Sequence, residues 1–68
     1  MKDISKLKNE QATIKSKLVK LIEFTCTEEF YNASEEEKGL ILIQKTGMEM
    51  YLTALSKRIY LPEKEEEQ

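Results

Sequence analysis

Histidine and tryptophan are absent, and cysteine, proline and glycine nearly so: one Cys, one Pro and two Gly in 68 residues. Each shortage excludes something. A single cysteine cannot form an internal disulfide, and without histidine a zinc site of the usual Cys/His type lacks its ligands. The commonest general base is missing as well, and no Ser or Cys sits beside a group that would activate it. No phosphate-cradling glycine loop and no metal-ligand spacing occurs. The longest apolar run, Leu40-Ile41-Leu42-Ile43, is far short of the roughly 20 residues that cross a bilayer. Met1-Lys2-Asp3 is followed by no apolar signal core. The expectation is a non-enzymatic chain with no cofactor or metal and no membrane span. The free Cys26 fits a reducing cytoplasm.

What is present is helix-forming and charged: 40% hydrophobic and 35% charged residues, a composition of soluble helical proteins. A chain of this size buries only about 60% of its unfolded surface, so its own core is marginal. Below about 70–80 residues a fold usually needs disulfides, a metal or oligomerisation. The first two are excluded, which leaves self-association.

The net charge of −2 is unevenly spread. Residues 1–24 set six Lys against Asp3, Glu10 and Glu23 (+3), and residues 25–38 set five Glu against Lys38 (−4). Residues 39–61 set Lys45, Lys57 and Arg58 against Glu49 (+2), and residues 62–68 set four Glu against Lys64 (−3). With no dense basic stripe, a DNA or RNA polymer is not an expected partner. A small anionic ligand held locally is compatible with the pattern. The runs Glu35-Glu36-Glu37 and Glu65-Glu66-Glu67 suit a helix start and a solvated tail better than metal sites.

Ile4, Leu7, Gln11, Ile14, Leu18, Leu21 and Thr25 fall at alternating three- and four-residue steps, the signature of one helical face. This predicts a first helix over residues 3–25. Ser34-Glu35-Glu36-Glu37 is a capping box, and Pro62 disfavours helix at Leu61, so a second helix is predicted over 34–60. Its row is Ile41, Gln44, Met48, Tyr51, Leu55 and Arg58. The connector, 26–33, holds Thr27 as a cap before Glu28 and Glu29, and thus a short helical turn. The fold expected is all-α: an antiparallel two-helix hairpin over 1–61 with an acidic tail over 62–68. In that register Leu21 faces Gln44, Ile14 lies near Tyr51 and Met48, and Leu7 and Gln11 lie near Leu55 and Arg58.

Second apolar rows remain: Leu40, Ile43, Gly47, Met50, Ala54 and Leu61 on one helix, and Ala12, Val19, Ile22 and Cys26 on the other. A helix apolar on more than one face is buried on more than one face. In so short a chain the cover must be another chain, and Gly47 and Ala54 would let a helix approach closely. A homo-oligomeric helical bundle follows.

Three polar residues interrupt the apolar rows: Gln11, Gln44 and Arg58. Two readings stand for them. They specify register, with Arg58 favouring the helix end and pairing with Glu10. Or Arg58, Tyr51 and a nearby Lys offer donors and an aromatic face to a phosphorylated nucleotide, Arg binding phosphate bidentately.

The run Leu40-Ile41-x-x-Gln44-x-x-x-Met48-x-x-Tyr51-x-x-x-Leu55-x-x-Arg58-Ile59, preceded by Ser34-Glu35-Glu36-Glu37, resembles a helical-hairpin family common in bacteriophages. Leu18-x-x-Leu21-x-x-Phe24 followed by Phe30 resembles its first helix and connector. The family includes anti-CBASS and anti-Thoeris nucleotide sponges. The resemblance implies a phage protein of the host bacterial cytoplasm that captures cyclic oligonucleotides or cyclic ADP-ribose isomers at subunit interfaces without cleaving them. It implies a homo-oligomer, often a hexamer built from dimers. The candidate ligand residues are Arg58, Tyr51, Gln44, Gln11, Lys57, Lys6, Lys15 and Lys17. The alternative function is a coiled-coil adaptor or phage assembly protein.

Overall fold

The computed structural model describes residues 4–66, with the side chains of residues 4–61. Its elements are α1 (Ile4–Phe24), α2 (Glu28–Tyr31) and α3 (Glu35–Glu66), and the described residues contain no strand. The fold is all-α.

Side-chain caps set the breaks between helices. Thr27 accepts from the Phe30 N–H at 3.2 Å and opens α2, and its hydroxyl donates to the Phe24 carbonyl at 2.6 Å. The Thr25 hydroxyl and the Thr25 N–H both donate to the Ile22 carbonyl, at 2.6 and 3.1 Å, at the end of α1. Ser34 opens α3 by accepting the Glu37 N–H at 3.1 Å, with Glu35, Glu36 and Glu37 in its first, positive turn.

The end of α3 differs from expectation. The helix runs through Pro62 to Glu66 rather than stopping near Tyr60. Proline removes one donor and disfavours helix at the residue before it, but it does not forbid either. Extending a helix already formed adds bonds with no new nucleation cost. The start expected at Asp3, and the last tail residues 67–68, lie outside the described residues.

α1 and α3 lie side by side in a rod 52 × 16 × 15 Å, the start of α1 against the end of α3. Leu7, Leu55 and Ile59 are buried together with Ile4 and Ile14 packed on them. Gln11 Nε2 donates to Ser56 Oγ at 2.8 Å across the pair. Toward the connector, Leu21 and Phe24 share a groove with Gln44 and Met48. The Phe24 and Phe30 rings close this end edge to face, centroids 6.0 Å apart. Lys38 Nζ lies 5.2 Å from the Tyr31 ring centre and 3.6 Å from Glu35.

The side of α3 turned toward α1 corrects the expected row. From Ile41 onward the buried or half-buried residues are Ile41, Lys45, Met48, Leu52, Leu55 and Ile59, whereas Gln44, Tyr51 and Arg58 are exposed. Rows 41-44-48-51-55-58 and 41-45-48-52-55-59 share three residues and both obey helical spacing. The second places Leu52 and Ile59 against α1 where the first would place Tyr51 and Arg58, so the helix settles about one residue to the side. Gln11 therefore meets Ser56, not Arg58.

Candidate functional site

Two grooves flank the contact between α1 and α3, and they divide the candidate ligand residues. One, of about 540 Å³, is lined by Gln11, Ala12, Lys15, Leu18, Val19, Ile22, Leu52 and Ser56. Its floor is aliphatic. The Gln11–Ser56 hydrogen bond crosses it, and Lys15 stands in its wall. Gln11 spends a donor on Ser56, which gives it a structural task that its position in the apolar row did not disclose.

The other groove, of about 340 Å³, is lined by Lys17, Lys20, Leu21, Phe24, Gln44 and Met48. Tyr51 and Arg58 follow Gln44 at seven-residue intervals. Two helical turns bring a residue back to nearly the same direction, so the three share one flank of α3. Tyr51 is 39% exposed, which leaves much of its ring open to a stacking partner. Arg58 is exposed, and no ion pair joins it to Glu10 among the described residues. The capping pair expected for Arg58 is thus not made. Cations from one helix, with an aromatic ring, an amide and a guanidinium from the other, are the groups an anionic ring-bearing ligand would use.

The remaining candidates fall elsewhere. Lys15 lies in the first groove, apart from Lys17. Lys57 shares the direction of Ile43 and Met50, away from α1, by the same seven-residue spacing. Lys6 is exposed near the start of α1, and it takes part in an interaction of its own. Lys20 lines the same groove as Lys17 and is not among the candidates read from the sequence. The signal that could have found it is its three-residue spacing from Lys17, which places both on the flank that Gln44 faces.

The proposed interface residues are exposed in the single chain: Leu40 by 60%, Ile43 and Met50 by 69% and Leu61 by 46%. Gly47 and Ala54 are exposed beside them. Leu42, Ile43, Thr46, Gly47 and Met50 line a shallow apolar depression there. No group of three potential metal ligands occurs among the described residues, and no helix among them is long and apolar enough to cross a membrane.

A family model described as Sequestin matches residues 1–61, nearly the whole chain and every residue of both flanks. The chain belongs to the Sequestin family. Neither a curated protein nor a solved structure matches it. In this Sequestin chain the matched segment ends at Leu61, the last residue of the exposed apolar row.

Proposed function

We propose that this protein sequesters a cyclic nucleotide signal of bacterial immunity, a cyclic oligonucleotide or a cyclic ADP-ribose isomer, and does not cleave it. The observation that carries the reading is the flank on which Lys17 and Lys20 face Gln44, with Tyr51 and Arg58 continuing the same stripe. The Sequestin family name supports capture as the activity, and the bacteriophage resemblance supplies the signal and the setting, the cytoplasm of an infected host. The working unit in this reading is a homo-oligomer of helical hairpins, a hexamer built from dimers, with the ligand between protomers. A shallow open groove is a poor capture site alone, whereas a second protomer closing over it would exclude water and strengthen each charged contact. Rigid helices hold the pocket preformed and spare the ligand the cost of ordering loops.

Thermal melting against a panel of cyclic dinucleotides, cyclic trinucleotides and cyclic ADP-ribose isomers tests this. A ligand at a hundredfold excess over its Kd stabilises the folded state by about 2.7 kcal/mol, a shift readily seen for a chain this small. At least one panel member should produce it and be recovered chemically unchanged. No shift with any member would overturn the reading and favour the adaptor alternative, and recovery of a cleaved nucleotide would make the protein an enzyme.

A further inference from the structure

The groove that holds Gln44 also contains apolar side chains for which a phosphate has no use. Besides Lys17, Lys20 and Gln44 it is lined by Leu21, Phe24 and Met48. Those last three are half-buried, whereas the two lysines and Gln44 are exposed. At about 340 Å³ the groove lies at the small end of ligand sites, which run from about 300 to 1,000 Å³. That is room for one ring system rather than for a whole cyclic oligonucleotide. A phenyl ring and a polarisable thioether are both good surfaces for a flat aromatic base. Phe24 is also braced. Thr27 opens α2 by accepting the Phe30 N–H, and the Phe30 ring meets Phe24 edge to face with centroids 6.0 Å apart. The ring in the groove is thus held before a ligand arrives, which spares an ordering cost on binding.

The two glutamines of the apolar rows differ in what they do. Gln11 gives its Nε2 donor to Ser56, while the Gln44 side chain bonds to no other described residue. Its helical neighbours, Leu40, Ile41, Gly47 and Met48, have no side chain that could occupy an amide. Gln44 therefore offers a donor and an acceptor side by side. Adenine presents the complement on one edge, the N6 amino donor beside the N7 acceptor, which is why glutamine reads it in both contacts. Guanine presents O6 and N7 on that edge, two acceptors, and would leave the Gln44 Oε1 unpaired. The donor edge of guanine asks for a pair of acceptors such as a carboxylate, and no Asp or Glu lines the groove.

We propose that this groove is a base seat that selects adenine over guanine, with Gln44 as the residue that determines the choice. The base lies against Phe24 and Met48. Its N6 amino group donates to Gln44 Oε1, and its N7 accepts from Gln44 Nε2. Lys17 and Lys20, exposed beside it, take the phosphates. Adenine is what the two ligand classes named above have in common, since cyclic ADP-ribose isomers always carry it and cyclic oligonucleotides do so in part. The inference rests on the capture reading and narrows it to adenine-bearing signals.

Calorimetry with cyclic di-AMP, cyclic di-GMP and a cyclic ADP-ribose isomer tests this on the wild type and on two variants of Gln44. The wild type should bind an adenine ligand about tenfold or more tighter than cyclic di-GMP, the cost of one unpaired polar group. Whichever adenine ligand binds tighter identifies the source. Gln44→Leu, at an exposed position, should keep the wild-type circular dichroism and remove that preference. Gln44→Glu, which offers acceptors only, should reverse it; the added charge weakens every anion alike, so the ratio is what is read. In methyl NMR spectra, bound cyclic di-AMP should move the Met48 methyl upfield through the ring current of the base. Met50, on the outer face and 69% exposed, should stay in place. Equal binding of the adenine and guanine ligands, a preference that survives Gln44→Leu, or an unmoved Met48 with ligand bound would overturn the base seat and leave capture standing. Failure of every ligand to bind would overturn capture itself and the seat with it.

Discussion

Leu55 has no exposed surface, and Leu7 and Ile59 are the other buried members of its cluster. Removing it strips the centre of the small core. Leu55→Ala is expected to destabilise the chain by about 2–4 kcal/mol, within the usual span for buried leucine, as read by denaturant titration at fixed protein concentration. Arg58 should behave oppositely. Its side chain is exposed and outside that cluster, so Arg58→Ala should leave helicity and melting temperature unchanged. A charge-assisted hydrogen bond is worth about 1.5–3 kcal/mol, so the same change should weaken nucleotide binding about ten- to a hundredfold. Calorimetry and circular dichroism on this one variant separate the roles: lost melting temperature with unchanged affinity would return Arg58 to the scaffold. The sequence disclosed the shared positions Ile41, Met48 and Leu55 but not on which side of them the helix would turn. Spacing cannot choose between Tyr51 and Leu52 or between Arg58 and Ile59. Aliphatic content can, since Leu52 and Ile59 are the more apolar of each pair and both lie inward.

At the scale of the helix, Gly47, like Gly39, is a residue whose presence α3 itself does not explain. An interior glycine costs a helix roughly 0.5–1 kcal/mol relative to alanine, and a Cβ there would meet nothing within the chain. In a protein that worked as a single rod, Gly47→Ala would be a simple gain at every concentration. With Gly47 in a close contact between copies of the proposed oligomer, the added methyl separates two helices. Gly47→Ala should therefore raise helicity in dilute solution and shift dissociation to higher protein concentration, as read by circular dichroism and sedimentation together. A gain in stability at all concentrations would argue against close approach at this point. The caps were legible because Thr27 and Ser34 stand directly before acidic first turns, and their hydroxyls accept the expected N–H groups. The course of α3 through Pro62 was not, because a local bias against helix competes there with a long helix already formed.

For the molecule as a whole, the balance between core and surface decides the assembly. Among the described residues the buried core is Leu7, Leu55 and Ile59, while Leu40, Ile43, Met50 and Leu61 stand largely in water. A rod with so little inside is a weak fold alone, and burying each such side chain contributes about 1.5–3 kcal/mol. Association should therefore provide much of the stability. The wild-type chain is expected to sediment as a dimer or larger at micromolar concentration, and its melting temperature should rise with concentration, as mass action requires of a fold coupled to assembly. Ala54→Glu, at an exposed position of the free chain, should be harmless to an isolated protomer. At a closed interface between copies it buries a carboxylate without a partner, a cost of several kcal/mol that should dissociate the oligomer. The dissociated variant should bind nucleotide no better than Arg58→Ala does, because its groove would lack the second wall. A wild-type chain that sediments as a monomer, with a melting temperature independent of concentration, would remove the case for a site shared between copies.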